Sequence, residues 1–495
     1  MLLTSLCCAA GHASVRLPHL LSDHAVLQRD RPIHVWGWAS PNVRLKVALH
    51  GQSSETLANP LGEWSVYLKP ESAGGPYTLL ITGDGEEVKL QDLLIGDVWL
   101  ASGQSNMQFP LQGFTGAPMK DQAAEIAAST HPRIRLLRVE QGGSDTPKAD
   151  QPSVWKECIP ENAKDFSAVA YFFGREISGL QNVPVGLIDS AYGGTPADSW
   201  LSLHAYGADA SLQPALATWS RFADEQANLS DVIAIEREED ATAVREGKPK
   251  PSHPWHPFAQ SWQPSALYNA MIAPLTPYAI RGFLWYQGET NSAPDRAPHY
   301  QSTLSALIRD WRNRFDQGNL PFLYVQISSF SSPSEDWAML RDQQRRALDN
   351  ANTAMSVTID VGEATNVHPA DKQTVGARLA LAARHLVYGE NLVSSGPLFR
   401  QATAEMNADG SKSMRVWFDD AHSLSSRGAP LSSFEVAGAD HKFVPAEAAI
   451  EGDTVLVKAA AVQDPRFVRF GWSSVVESNL YNEAGLPAST FTSEP

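Results

Sequence analysis

The chain has 495 residues, 43% of them hydrophobic and 19% charged, with a formal net charge of −16. Length and composition are those of a globular protein of about three domains. The acidic balance and the absence of Lys/Arg clusters argue against nucleic acid or anionic membrane as a partner, since both would be repelled, and favour a neutral or cationic substrate.

The first residues, MLLTSLCCAAGHA, form an apolar run of small residues that ends like a cleaved signal peptide over residues 1–13 and predicts a periplasmic or secreted protein. Cleavage there removes Cys7 and Cys8 and leaves Cys158 alone, so no intrachain disulfide is expected. No later run reaches the length of a membrane span. Residues 14–96 alternate apolar and polar positions in short runs (IHVWGWA, VRLKVALHG, EWSVYL, YTLLITG) separated by Gly, Pro, Asn and Asp, which predicts an N-terminal β-sandwich module.

Over residues 97–389 the rhythm changes to apolar strands separated by helix-period segments. DVWLASG, VPVGLIDSAYGG, IRGFLWYQGE and TAMSVTIDVG read as strands, whereas AVAYFFGREISGL, YQSTLSALIRDWRNRF and TVGARLALAARHLVYG read as helices. This predicts an α/β domain, a parallel sheet covered on both faces, with ligands beyond the carboxyl ends of its strands. The rhythm breaks at about 205–264, where a charged helical piece and the Pro/His/Trp-rich KPKPSHPWHPFAQSW read as an insertion over the site. Strand alternation returns over 390–495 as a C-terminal β-rich module.

Four strand ends carry the residues with chemical potential. In GQSNM, the Ser105 hydroxyl could attack a carbonyl beside its own backbone N–H, or it could simply cap a helix. The paired glycines of SAYGGTP let backbone N–H groups approach an oxyanion, although such pairs also make ordinary turns. WYQGETN offers amides for the same purpose and aromatics for stacking on a sugar, or else a core pair capped by a polar turn. In DVGEATNVHP, His368 could serve as general base, with Asp360 and Glu363 close by in sequence. His253 and His256 are separated by prolines and lack carboxylate or Cys partners nearby in sequence, so no metal site is expected. GxGxxG after a strand, a P-loop and GxSxG are all missing.

Taken in order, GQSNM, SAYGGTPADSW, WYQGETN and VHPADKQTVGARLAL resemble the sialate O-acetylesterase-type carbohydrate esterases, a branch of the SGNH hydrolases. LSDHAVLQRDRPIHVWGWASPN and LYNAMIAPLTPYAIRGFLWYQGETN extend the resemblance to about residues 17–389. It implies a three-layer α/β/α esterase domain that removes O-acetyl groups from carbohydrates without metal or cofactor. It further implies Ser105 as nucleophile, His368 as base, and an oxyanion hole from the Ser105 N–H, Gly194 and an amide of the block Gln287 to Asn291. The Asp that many such enzymes carry three residues before the His is Thr365 here, which leaves Glu363 (favoured), Asp360, a distant acid or a Ser–His dyad.

Gln104, Glu289, Trp255, Trp262 and Trp285 are expected to face an acetylated oligosaccharide or polysaccharide. Within the family type, plant polysaccharides such as xyloglucan are favoured and sialic acids are the alternative. The competing class is a glycan-binding protein that keeps the esterase fold without turnover, which has no need of the Ser105/His368 pair.

Overall fold

The computed structural model describes residues 15–83, 85–254, 256 and 259–495, so the leader-like segment and Trp255 lie outside it. In the N-terminal region, the strand Arg44–Leu49 buries Leu45, Val47 and Leu49 and exposes Arg44 and Lys46, as a period of two requires of a sheet with one wet face. It pairs antiparallel with Gln52–Leu57 and Gly74–Gly83, while Ile33–Trp38 and Glu63–Leu68 form a second, two-stranded sheet.

One strand joins this region to the next. Glu86–Gly103 pairs antiparallel with Gly74–Gly83 over its first part, where burial alternates, and its last eleven residues are all buried. From Asp97 to Gly103 it lies at the centre of a parallel sheet, between Val185–Ala191 and Gly282–Tyr286. The sequence places a module boundary after Gly96, yet the backbone crosses it without a turn. A strand covered on both faces reads as a continuous apolar run, and LLIGDVWLA is that run. The junction is tied by the buried Asp97 carboxylate, which accepts from Arg29 Nε (2.8 Å), Arg29 Nη2 (3.0 Å) and the Tyr388 hydroxyl (2.9 Å).

The sheet runs in the order Thr353–Val357, Phe322–Gln326, Gly282–Tyr286, Glu86–Gly103, Val185–Ala191, His131–Arg138, Lys156–Cys158, and its pairs are parallel except the last. The helices Ala168–Gln181 and Lys372–Leu386 pack on each other, as do Tyr300–Phe315 and Trp337–Arg346, and together they flank the sheet in a three-layer α/β/α arrangement. Among the described residues, no helix is long and apolar enough to cross a membrane.

The segment read as an insertion forms the helices Leu203–Ala208, Gln213–Glu225 and Leu229–Arg245, and the last buries only Ala243. His253 and His256 pair with Asp240 (3.2 Å) and Glu236 (2.9 Å) of that helix. The C-terminal region folds into two four-stranded antiparallel sheets. It is fastened to the α/β layers by Arg341, fully buried, whose guanidinium donates to the carbonyls of Gly471 (3.2 Å), Ser474 (3.4 Å) and Ser473.

Candidate active site

Three neighbouring strand ends are stitched together beneath the site. The Gln104 N–H donates to Tyr286 O (3.0 Å) and the Tyr192 N–H to Gly103 O (3.0 Å). Gly103 is obligatory there: its φ is +137°, and a Cβ would stand 2.1 Å from Tyr286 O. The strand therefore ends at Gly103, and Ser105 begins a single helical turn, Ser105–Gln108. Gln104 occupies the cap position, so Ser105 is not a cap; its Oγ lies 2.8 Å from His368 Nε2.

His368 sits in the loop after Thr353–Val357, with its ring edge-on to Phe114 (5.2 Å between centroids) and its N–H bonded to Asn366 Oδ1 (3.0 Å). Burial, assisted by the neighbouring Lys372 charge, pushes the imidazole down to about 4, which leaves it neutral and able to accept the Ser105 proton at ordinary pH.

Neither sequence-proposed acid is bonded to the imidazole. Both Asp360 oxygens are held by Arg378 (2.6 and 2.7 Å). Glu363 accepts from the Ala370 N–H (2.7 Å) and Asn366 Nδ2 (3.3 Å), so it closes the loop that carries His368. Among the described residues, His368 Nδ1 has no hydrogen-bond partner, so Ser105 and His368 are a bonded pair with no acid on the imidazole.

The backbone N–H groups of Ser105 and Gly194 have no acceptor among the described residues, whereas that of Gly193 is taken by Gln108 Oε1 (2.7 Å). Gln287 is placed otherwise than the resemblance implies. Its Nε2 donates to Thr195 O (3.2 Å) and Asn291 Oδ1 (2.6 Å), and its Oε1 accepts from the Tyr300 hydroxyl (2.7 Å). Asn291 Nδ2 donates to Asp198 Oδ2 (3.0 Å). Both side chains are buried and serve to brace the SAYGGTP turn from behind. The backbone amides of Gly288 and Thr290 are likewise engaged, both donating to Gln104 Oε1 (3.3 and 3.2 Å).

Ser105 and His368 open into a cavity of about 780 Å³, which Gln104, Gly194 and Glu289 also line. One wall comes from the insertion. Trp262 stacks on Phe222 (4.6 Å between centroids), donates through Nε1 to Gly194 O (2.6 Å) and lies under the Arg296 guanidinium (4.5 Å). A second aromatic pair, Phe330 and Trp337, lines the cavity as well. Trp285 does not reach it: fully buried, it packs edge-on to Trp200 and Trp311, because both faces of its strand are covered by helices.

Sequence reasoning passed over Asn106 and Lys372. Asn106 Nδ2 donates to Glu289 Oε1 (2.5 Å) and Val367 O (2.9 Å), while its Oδ1 accepts from Lys372 Nζ (2.5 Å). One signal was available: a lysine in the first turn of a helix opposes the helix dipole, and Lys372 begins Lys372–Leu386.

Comparison with known proteins follows the same blocks. The family model described as "Carbohydrate esterase, sialic acid-specific acetylesterase" matches residues 95–218 and 256–385. The human sialate O-acetylesterase is 31% identical over 423 residues, covering 77% of this chain and 73% of that protein. The rat protein of the same name is 30% identical, with 77% and 76% covered. Among solved structures, a carbohydrate acetylesterase from Xanthomonas citri superposes with a TM-score of 0.83 at 36% identity, covering 97% of this chain and all of that one.

Proposed function

We propose that this chain, which belongs to the sialic acid-specific acetylesterase family of carbohydrate esterases and is a carbohydrate O-acetylesterase, acts on acetylated plant oligosaccharides or polysaccharides such as xyloglucan through an acetyl-Ser105 intermediate. The observation that carries the mechanism is the 2.8 Å contact between Ser105 Oγ and His368 Nε2 at the floor of the cavity. His368 takes the hydroxyl proton as Oγ bonds to the acetyl carbon, and the negative charge that develops on the carbonyl oxygen faces the Ser105 and Gly194 N–H groups. The imidazolium then protonates the leaving sugar oxygen as its bond to the acetyl carbon breaks. Water, deprotonated by His368, attacks the acetyl carbon, and the bond from that carbon to Ser105 Oγ breaks as the imidazolium returns the proton to Oγ, releasing acetate.

A saccharide substrate is supported by the aromatic residues in the cavity walls, Trp262, Phe222, Phe330 and Trp337, which give the cleft apolar borders suited to the C–H side of sugar rings. A cavity of about 780 Å³ also far exceeds what an acetyl group needs. One observation favours the alternative, a sialate O-acetylesterase. Arg296 lines the cavity with its Nη1 buried and without an acceptor among the described residues, a cation placed to meet a sugar carboxylate. A glycan-binding protein without turnover would not need Ser105 and His368 in bonding contact.

The experiment is acetate release from acetylated xyloglucan oligosaccharides, acetylated xylan and O-acetyl sialic acid by wild type and Ser105→Ala. Release from xyloglucan alone, abolished in the variant, supports the main reading, and release from the sialic acid alone supports the alternative. No release from any substrate by either protein supports the binding class. Export to the periplasm or medium belongs to the same proposal and rests on the leader-like MLLTSLCCAAGHA; the N-terminus of the mature protein tests it.

A further inference from the structure

The dyad lacks a carboxylate on its imidazole, yet a charged cluster is bonded to the residue that precedes it. Lys372 is completely buried, and its Nζ is bonded to Asn106 Oδ1 and stands over the rings of Phe109 (4.8 Å) and Tyr286 (5.7 Å). The other end of the same amide donates to the buried Glu289 carboxylate. An amide with its oxygen toward an ammonium and its nitrogen toward a carboxylate has the polarity suited to bridge an ion pair. The Asn106 nitrogen also holds Val367 O, the carbonyl next to His368. One side chain thus joins the nucleophile's turn, the third sequence block, the base's loop and the start of the last helix of the α/β layers.

We propose that Lys372, fixed by Asn106 and Glu289, is the positioning residue of this site: it orders Asn106, which holds the carbonyl next to His368, and it brings a buried positive charge into the surroundings of the base. The charged groups around the imidazole are Lys372 and Asp371 at the start of the helix, Glu363 on its own loop and Glu289 bonded to Asn106. Glu335 and Arg296 line the same cavity. Of these, Lys372 is the one whose charge bears on the ring; burial pushes its ammonium down to about 7, so it is charged through the acid range and acts there in the same direction as burial, against the imidazolium. The consequence is a weak base that stays unprotonated in acid and hands its proton quickly to the departing sugar oxygen.

This inference rests on the reading of Ser105 and His368 as the catalytic dyad. Its test is the pH dependence of kcat/KM for a small aryl acetate in Lys372→Met, which removes the charge. Without the neighbouring cation the imidazole holds its proton to higher pH, so the acid limb is expected to move up by about one pH unit. Lys372→Gln, which keeps a donor for Asn106, and Glu289→Gln/Lys372→Met, which leaves no buried charge unpaired, are expected to move it the same way. They carry the test should Lys372→Met not fold. A purely structural lysine would lower activity or melting temperature and leave the limb where it was, and that result in folded variants overturns the proposal. Ser105→Ala separates the two readings: residual turnover there defeats the dyad itself, whereas an inactive Ser105→Ala with an unmoved limb defeats only the role given to Lys372.

Discussion

The floor and the wall of the cleft are built on opposite principles. The floor is made of strand ends in the middle of a parallel sheet, where Ser102, Ser190 and Tyr286 are buried and the backbones of neighbouring strands bond to one another. The wall is a helix of the insertion, Gln213–Glu225, which buries only Thr218 and Phe222 and reaches the floor through Trp262. A floor of this kind holds reacting atoms to tenths of an ångström, as acyl transfer requires. A lightly packed wall can be exchanged without disturbing the sheet, which suits the selection of a sugar.

If that division is correct, changes in the floor should strike kcat for every ester. Ser105→Ala and His368→Ala are expected to lower kcat at least about a thousandfold with small acetates and oligosaccharides alike, measured by acetate release. Gly193→Ala comes next. A Cβ there would lie 2.9 Å from Gln108 Oε1 and 3.2 Å from Ser105 Cβ, so the Gln108 amide must give way from the Gly193 N–H and the nucleophile is crowded, and kcat is expected to fall about tenfold.

Changes in the wall should instead separate substrates. Trp262→Ala is expected to raise KM for an acetylated oligosaccharide about tenfold through collapse of the aromatic wall that it shares with Phe222 and Arg296, while an aryl acetate is hydrolysed within about twofold of the wild-type rate. Because Trp262 also donates to Gly194 O, Trp262→Phe separates the two roles by keeping an aromatic ring and removing that bond. Equal losses on both substrates in Trp262→Phe would show that the wall helps to shape the floor.

The smallest effect is expected at the acid that sequence reasoning favoured. Glu363→Gln keeps the acceptor for the Ala370 N–H, and kcat should stay within about threefold of wild type. The pH profile makes the same point with larger amplitude. Neutral imidazole is the active form, so activity is lost as pH falls through its pKa. With His368 held down to about 4 from an ordinary 6.5, the acid limb of kcat/KM should lie near pH 4. A carboxylate bonded to Nδ1 would place the limb higher.

The floor was legible in the sequence because a parallel sheet leaves a distinctive trace: apolar runs that end abruptly in small and polar residues, as at GQSNM, SAYGG, WYQGE and GEATNVHP. What those polar residues bond to was not legible. Gln287 and Asn291 have the chemistry of oxyanion donors, but their partners Thr195 and Asp198 lie more than ninety residues away in the chain. Asn106 likewise finds Glu289 and Lys372 across 183 and 266 residues, a convergence that only the folded topology supplies. Trp285 looked sugar-facing because an aromatic at a strand end suits either a core or a cleft, and helices on both sides of its strand decided for the core. The wall was visible only as a break in rhythm. Helical period and composition gave no hint that Phe222 would stack on Trp262.

Chemistry seated in the floor requires that the acetyl group pass through Ser105. Rapid quenching of the enzyme during turnover of a small aryl acetate, followed by mass analysis of its peptides, tests this most directly. A single acetyl group is expected on the peptide that carries Ser105, absent in Ser105→Ala and unaffected by Trp262→Ala. An acetyl group on another residue, or continued turnover by Ser105→Ala, would contradict it.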